Sequence, residues 1–117
     1  MKTFTVIFCA PADTMAEWMK KPEAERKAEE QQMMMEWQVW TKAHAAHVVE
    51  GGMSLGSNSR VTKGVVEDKK NDFMLYMIFQ AESKEELTAM LTDHPHFTIP
   101  TGYIEVMESK KIPTGMA

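Results

Sequence analysis

The sequence predicts an α+β domain of the ferredoxin-like kind, in which the order βαββαβ gives an antiparallel sheet with two helices on one face. Three observations predict it. Runs rich in β-branched and aromatic residues stand at 4–9, 60–66, 73–81 and 103–107. Helix-period patterns lie between the first and second of these runs and between the third and fourth. The strands also fail to alternate apolar with polar residues, as if both sheet faces were to be covered.

The first strand, Phe4 to Cys9, ends where Pro11 breaks the ladder, and 13–19 reads as a short helical turn. Pro22 then opens a long helix with Glu23 and Glu25 in its first turn, where the macrodipole favours acids. Its apolar stripe of Met33, Trp37, Trp40, His44 and Val48 steps by three and four. Gly51-Gly52 is the expected stop. A turn-rich stretch, 52–59, leads to the second strand, and the polar turn 67–72 leads to the third, the most apolar segment. Ser83 and Glu86 form a capping box for a second helix, which ends near Asp93 because Pro95 disfavours helical geometry at His94. The fourth strand follows. In the third, Phe73, Leu75, Met77 and Phe79 point one way and Met74, Tyr76 and Ile78 the other. A second copy packed sheet to sheet, a homodimer, would cover the face that lacks helices.

Composition narrows the class of function. The 117 residues suit one domain, 1–117, with 44% hydrophobic and 26% charged residues, as in ordinary globular proteins. A net charge of −4 with scattered Lys and Arg gives no basic footprint, so nucleic acid is not an expected partner. No run approaches the ~20 apolar residues of a membrane span. The apolar run after Lys2 is shorter than a signal peptide's core of roughly 7–15 residues. The single Cys9 fits a reducing compartment, and the cytoplasm is the expected location. Gly51, Gly52 and Gly56 match neither a P-loop nor a dinucleotide fingerprint, and no cofactor is expected.

The chemistry-bearing residues are few. With strands one and three taken as parallel, the C-terminal ends of both helices fall at the same end of the domain. His44 and His47 would then face Asp93, His94 and His96, with Asp72 nearby. Three readings compete. A histidine of the Asp93, His94 and His96 run could act as acid or base on a small apolar substrate, because imidazole titrates near neutrality and an adjacent carboxylate orients it. His44, His47, His94 and His96 could hold a metal ion. Or the histidines could simply close helices, where they meet free carbonyls. For substrate binding, His44, His47, Trp18 and Arg60 are the candidates: Trp18 on an adaptable Met- and Trp-rich connector, Arg60 as a cation for a carboxylate. Cys9, in a central strand, reads as buried and inert, and Glu105 as an exposed acid or one partnered near a pocket.

Three segments also resemble a known family: EWQVWTKA (36–43), GGMSLGSNSRVT (51–62) and QAESKEELTAMLTDHPHFTIPTGYIEVME (80–108). They are similar to the YCII-related proteins of the dimeric α+β barrel superfamily. The resemblance implies a ferredoxin-like protomer, a dimer whose sheets face each other around a pocket, and a small hydrophobic ligand. A His–Asp pair as active site is a further implication, and here the histidines of the DHPH run stand where that pair would be sought. A ligand-sensing or accessory module without catalysis is the alternative.

Overall fold

In the computed structural model, which describes residues 1–115, the first strand, β1, spans Lys2–Cys9. Phe4, Val6 and Phe8 on one of its faces are fully buried. Each such burial is worth roughly 1.5–3 kcal/mol, so this row anchors the core. After the helices α1 (Ala12–Met19) and α2 (Glu23–Ala43), a 3₁₀ turn at Ala45–His47 leads to β2 (Val48–Ser54). A hairpin of β3 (Ser59–Thr62) and β4 (Val65–Asp68) follows, then β5 (Phe73–Ala81), α3 (Lys84–Leu91), a 3₁₀ turn at Pro95–Thr98 and β6 (Tyr103–Ser109).

The main sheet has the order β2-β5-β1-β6 with every neighbouring pair antiparallel. Stripped of the extra hairpin, this is the expected ferredoxin-like order, with α2 and α3 over the face that carries Phe4, Val6, Phe8, Met77 and Phe79, and with Leu87 and Leu91 of α3 packed into the same core. Trp37 and Trp40 of the expected helix stripe pack here, Trp40 buried. Ser83 caps α3 as the sequence implies, its side chain accepting from the backbone N–H of Glu86. Among the described residues the other sheet face is bare of helices. There Ile7, Tyr76 and Ile78 are half-buried and Met53 and Met107 exposed.

Three expectations are corrected. First, β1 and β5 are antiparallel, so α2 and α3 finish at opposite ends of the sheet. The chain from α2 re-enters at Val48 opposite Phe79, whereas α3 leads to His96, which bonds at Cys9. Second, Gly51 and Gly52 do not stop the helix; α2 ends at Ala43, with His44 at its C-cap, and both glycines lie within β2. The β2–β5 register slips between Glu50 and Met53, and Gly52 takes φ +72° there. A Cβ at Gly52 would stand 1.6 Å from the Tyr76 carbonyl oxygen, so the glycine serves a bulge pressed against its neighbour strand. Third, 60–66 is not the second strand of the main sheet. It falls in the β3–β4 hairpin, turned at Lys63-Gly64 with Gly64 at φ +77° and exposed throughout.

Candidate functional site

The histidines of the DHPH run are packed into the helix side of the sheet. Pro95 starts the 3₁₀ turn, and His94 is its N-cap: the backbone N–H of His96 donates to His94 Nδ1 at 2.9 Å. That bond places the proton of the neutral His94 ring on Nε2. His96 Nε2–H donates to the Cys9 carbonyl at 2.7 Å, which ties the end of β1 to the turn before β6. His94 and His96 are 2% and 1% exposed. Burial, followed by the neighbouring His96 and His44 rings, pushes the His94 imidazole down to about 3. Burial also lowers His96, against the pull of the Cys9 and Tyr103 carbonyls. Both rings are therefore neutral near pH 7, with His94 Nδ1 and His96 Nε2 bonded to backbone.

Around them lies an aromatic cluster. His94 packs edge-on to Trp37 and Trp40, each with centroids 4.4 Å away, and Trp40 stacks on His44 at 4.1 Å. Among the described residues His94 Nε2 and Trp40 Nε1 have no hydrogen-bond partner. The surrounding ring faces give such N–H groups only weak compensation. His44 Nδ1–H donates to the Trp40 carbonyl, and His44, Trp40, Asp93, His94 and Phe97 line one shallow groove.

Of the candidates from sequence, the structure thus brings His44, Asp93 and His94 together, with His96 behind them. The others lie apart. His47 is at the opposite end of the sheet, donating to the Gln80 carbonyl with Glu86 at 3.8 Å. Trp18 donates to Glu29 at 2.7 Å and carries Arg26 over its ring. Arg60 is exposed on the hairpin. Of the four residues of the metal reading, His47 stands apart from His44, His94 and His96. Among the described residues no group of three or more His, Cys, Asp or Glu side chains is placed to hold a metal ion.

The bare sheet face holds a polar group that the sequence reading left in the background. β1 pairs with β6 so that Cys9 opposes Tyr103 and Ile7 opposes Glu105. The Tyr103 hydroxyl donates to Asp72 Oδ2 at 2.6 Å. This bond, with burial and the negative charges of Asp72 and Glu105, pushes the phenol up to about 12. Burial, then Glu105 and Asp72, push the Cys9 thiol up to about 11. Asp72 lies between Asn71 and Phe73, which with Met15, Met19, Leu55 and Met74 line an open cleft of about 840 Å³. Lys69 and Lys70, from the β4–β5 connection, also border that cleft. The signal in the sequence was Asp72 immediately before the most apolar strand, with Tyr103 opening the last one.

No helix among the described residues is long and apolar enough to cross a membrane. No family model matches the chain, and no curated protein matches it. Among solved structures it is similar to 5-chloro-2-hydroxyhydroquinone dehydrochlorinase from Burkholderia phenoliruptrix AC1100, solved in complex with 2,5-dihydroxybenzoquinone. The two share 15% identity over 94% of each chain, with a TM-score of 0.51. At that identity the likeness is one of fold: an antiparallel α+β protomer of the ferredoxin-like kind.

Proposed function

We propose that this chain is a YCII-related cytoplasmic protein, one domain over residues 1–117, that pairs with a second copy through its bare sheet face. Between the two sheets it holds a small, largely apolar molecule. The observation that carries the reading is the face itself: Ile7, Tyr76, Ile78, Met53 and Met107 stand there with no helix above them. Apolar sheet faces of this kind are stable when packed about 10 Å from another sheet. The fold neighbour was solved with 2,5-dihydroxybenzoquinone, a small ring compound.

The role as a binding protein has more support than acid–base catalysis by Asp93, His94 and His96. His94 and His96 lie under the helices, away from the bare face, and their rings are bound to backbone. The test has two parts. Size-exclusion chromatography with light scattering at micromolar concentration should give twice the 13.3 kDa chain mass, and Ile78→Lys should halve it. N-phenyl-1-naphthylamine, a neutral apolar fluorophore, should brighten with the wild-type dimer and not with Ile78→Lys. A wild-type monomer would overturn the proposal.

A further inference from the structure

Two hydrogen-bond donors are left over on the helix side of the sheet. Among the described residues, the only buried side-chain nitrogen or oxygen atoms without a partner are Trp40 Nε1 and His94 Nε2. Both residues line the same groove, between α2 and the 3₁₀ turn at Pro95–Thr98. They come to it from distant parts of the chain, and their ring centres are 4.4 Å apart, within the span of one small molecule. At 8% and 2% exposed, neither side chain is open to bulk water. Native proteins pair such groups almost without exception. Two orphans on one groove therefore need an explanation, and an acceptor carried by a ligand supplies one.

The fold holds both donors in place. His94 Nδ1 accepts the His96 backbone N–H, which fixes the ring and leaves its proton on Nε2. Trp40 is held by His44, which stacks on the indole and donates Nδ1–H to the Trp40 carbonyl at 2.8 Å. Beside these donors the groove is apolar, with exposed Met35, Val39 and Phe97 along it. A volume of about 800 Å³, with apolar walls and a few fixed polar groups, is that of a small-molecule site. The carboxylates of Glu36 and Asp93 also line it, and no lysine or arginine does. Those acids work against an anion, so the group that fits the two donors is a neutral acceptor.

We infer that this groove is a second ligand site, separate from the sheet face, that takes a neutral apolar compound bearing a carbonyl group, whose oxygen accepts from Trp40 Nε1–H and His94 Nε2–H. The hydrocarbon part of the ligand lies against Val39, Met35 and Phe97. Both nitrogens sit beneath the surface of the groove, so entry displaces the exposed side chains of Met35 and Phe97. A carboxylate in the same place would meet Glu36 and Asp93 with no fixed cation to offset them. A plain hydrocarbon would leave both donors unpaired. The groove lies on the helix side of one protomer, so the inference does not depend on the pairing of two copies.

Acetophenone, ethylbenzene and benzoate share one ring and differ in this single group, so they are suitable probes. Titrated into ¹⁵N-labelled protein, acetophenone should move the indole N–H resonance of Trp40 and leave that of Trp18, which is bonded to Glu29. Ethylbenzene and benzoate should bind about fivefold or more weakly. Trp40→Phe keeps a ring and removes the donor, so it should bring acetophenone down toward ethylbenzene. The wild-type comparison of those two probes decides the matter even where that variant does not fold. Glu36→Gln with Asp93→Asn should bring benzoate to within about twofold of acetophenone. An unmoved Trp40 resonance at millimolar acetophenone, ethylbenzene binding as tightly as acetophenone, or a benzoate affinity unmoved by the double substitution would overturn the inference. Ile78→Lys separates this site from the sheet-face pocket. The Trp40 shift should persist in that variant, and its loss there would assign the binding to the sheet face and remove the groove.

Discussion

His94 makes stability depend on pH in a window that opens well above the carboxylate range, near pH 6.5. Its ring titrates at 6.5 in an ordinary setting and is held down to about 3 in the fold. Between those values the unfolded chain binds a proton that the folded chain refuses, so the sign is fixed: stability is full above about pH 6.5 and falls as the pH drops toward 3. One proton gives a slope of about 1.4 kcal/mol per pH unit, so lowering the pH from about 7.5 to about 4.5 removes about 2.5 kcal/mol. That is a large share of the ~5–15 kcal/mol of a small domain. His96, also lowered, adds to the loss in the same direction. Urea unfolding at half-unit pH steps measures the effect. His94→Asn is the comparison, since its side-chain oxygen can still accept from the His96 N–H while it cannot titrate. The variant should start less stable and show a slope shallower by about one proton. Equal slopes in the two proteins, or an NMR titration of the His94 ring near 6.5 in the folded state, would refute the argument.

Gly52→Ala should cost at least about 2 kcal/mol in urea unfolding, from the positive φ and the clash with the Tyr76 carbonyl. Gly51→Ala, next to it and with open space around the added carbon, should change stability by less than about 1 kcal/mol. Ser83→Ala removes the acceptor of the Glu86 N–H and should lower stability by about 1 kcal/mol, read as a fall in Tm. Cys9, fully buried with its thiol pushed up to about 11, should resist a disulfide reagent at pH 8 until denaturant is added, and then react within minutes.

The elements most legible in the sequence were those that carry a local signal. The Ser83 capping box, the Pro22 start of α2 and the two-faced apolar run of β5 each follow from neighbouring residues. What went astray depended on long-range geometry. A Gly-Gly pair serves a helix stop and a strand bulge equally well, and only the crossing with Tyr76 decides between them. Valines at 61, 65 and 66 read as a sheet strand, yet they sit in a separate hairpin because β2 had already taken the edge beside β5. The direction of β5 relative to β1 misplaced His47, while His44 still met His94 because α2 crosses the core at Trp40. The Asp72–Tyr103 bond joins residues 31 apart, so the sequence shows Asp72 just before one strand and Tyr103 opening another, and not that they meet.

The place of β1 in the sheet has a consequence for biosynthesis. The inner strand β1 leaves the ribosome before both of its neighbours, which come from residues 73–81 and 103–109. Until residues 103–109 have been made, Phe4, Val6 and Phe8 have one flank or neither to pair with. Such a strand is a sticky edge for the length of translation, and a chain truncated before Tyr103 keeps it permanently. Premature stops in this protein should therefore yield aggregates in place of soluble fragments, and the His96 tether to Cys9 is among the last contacts available to close the sheet.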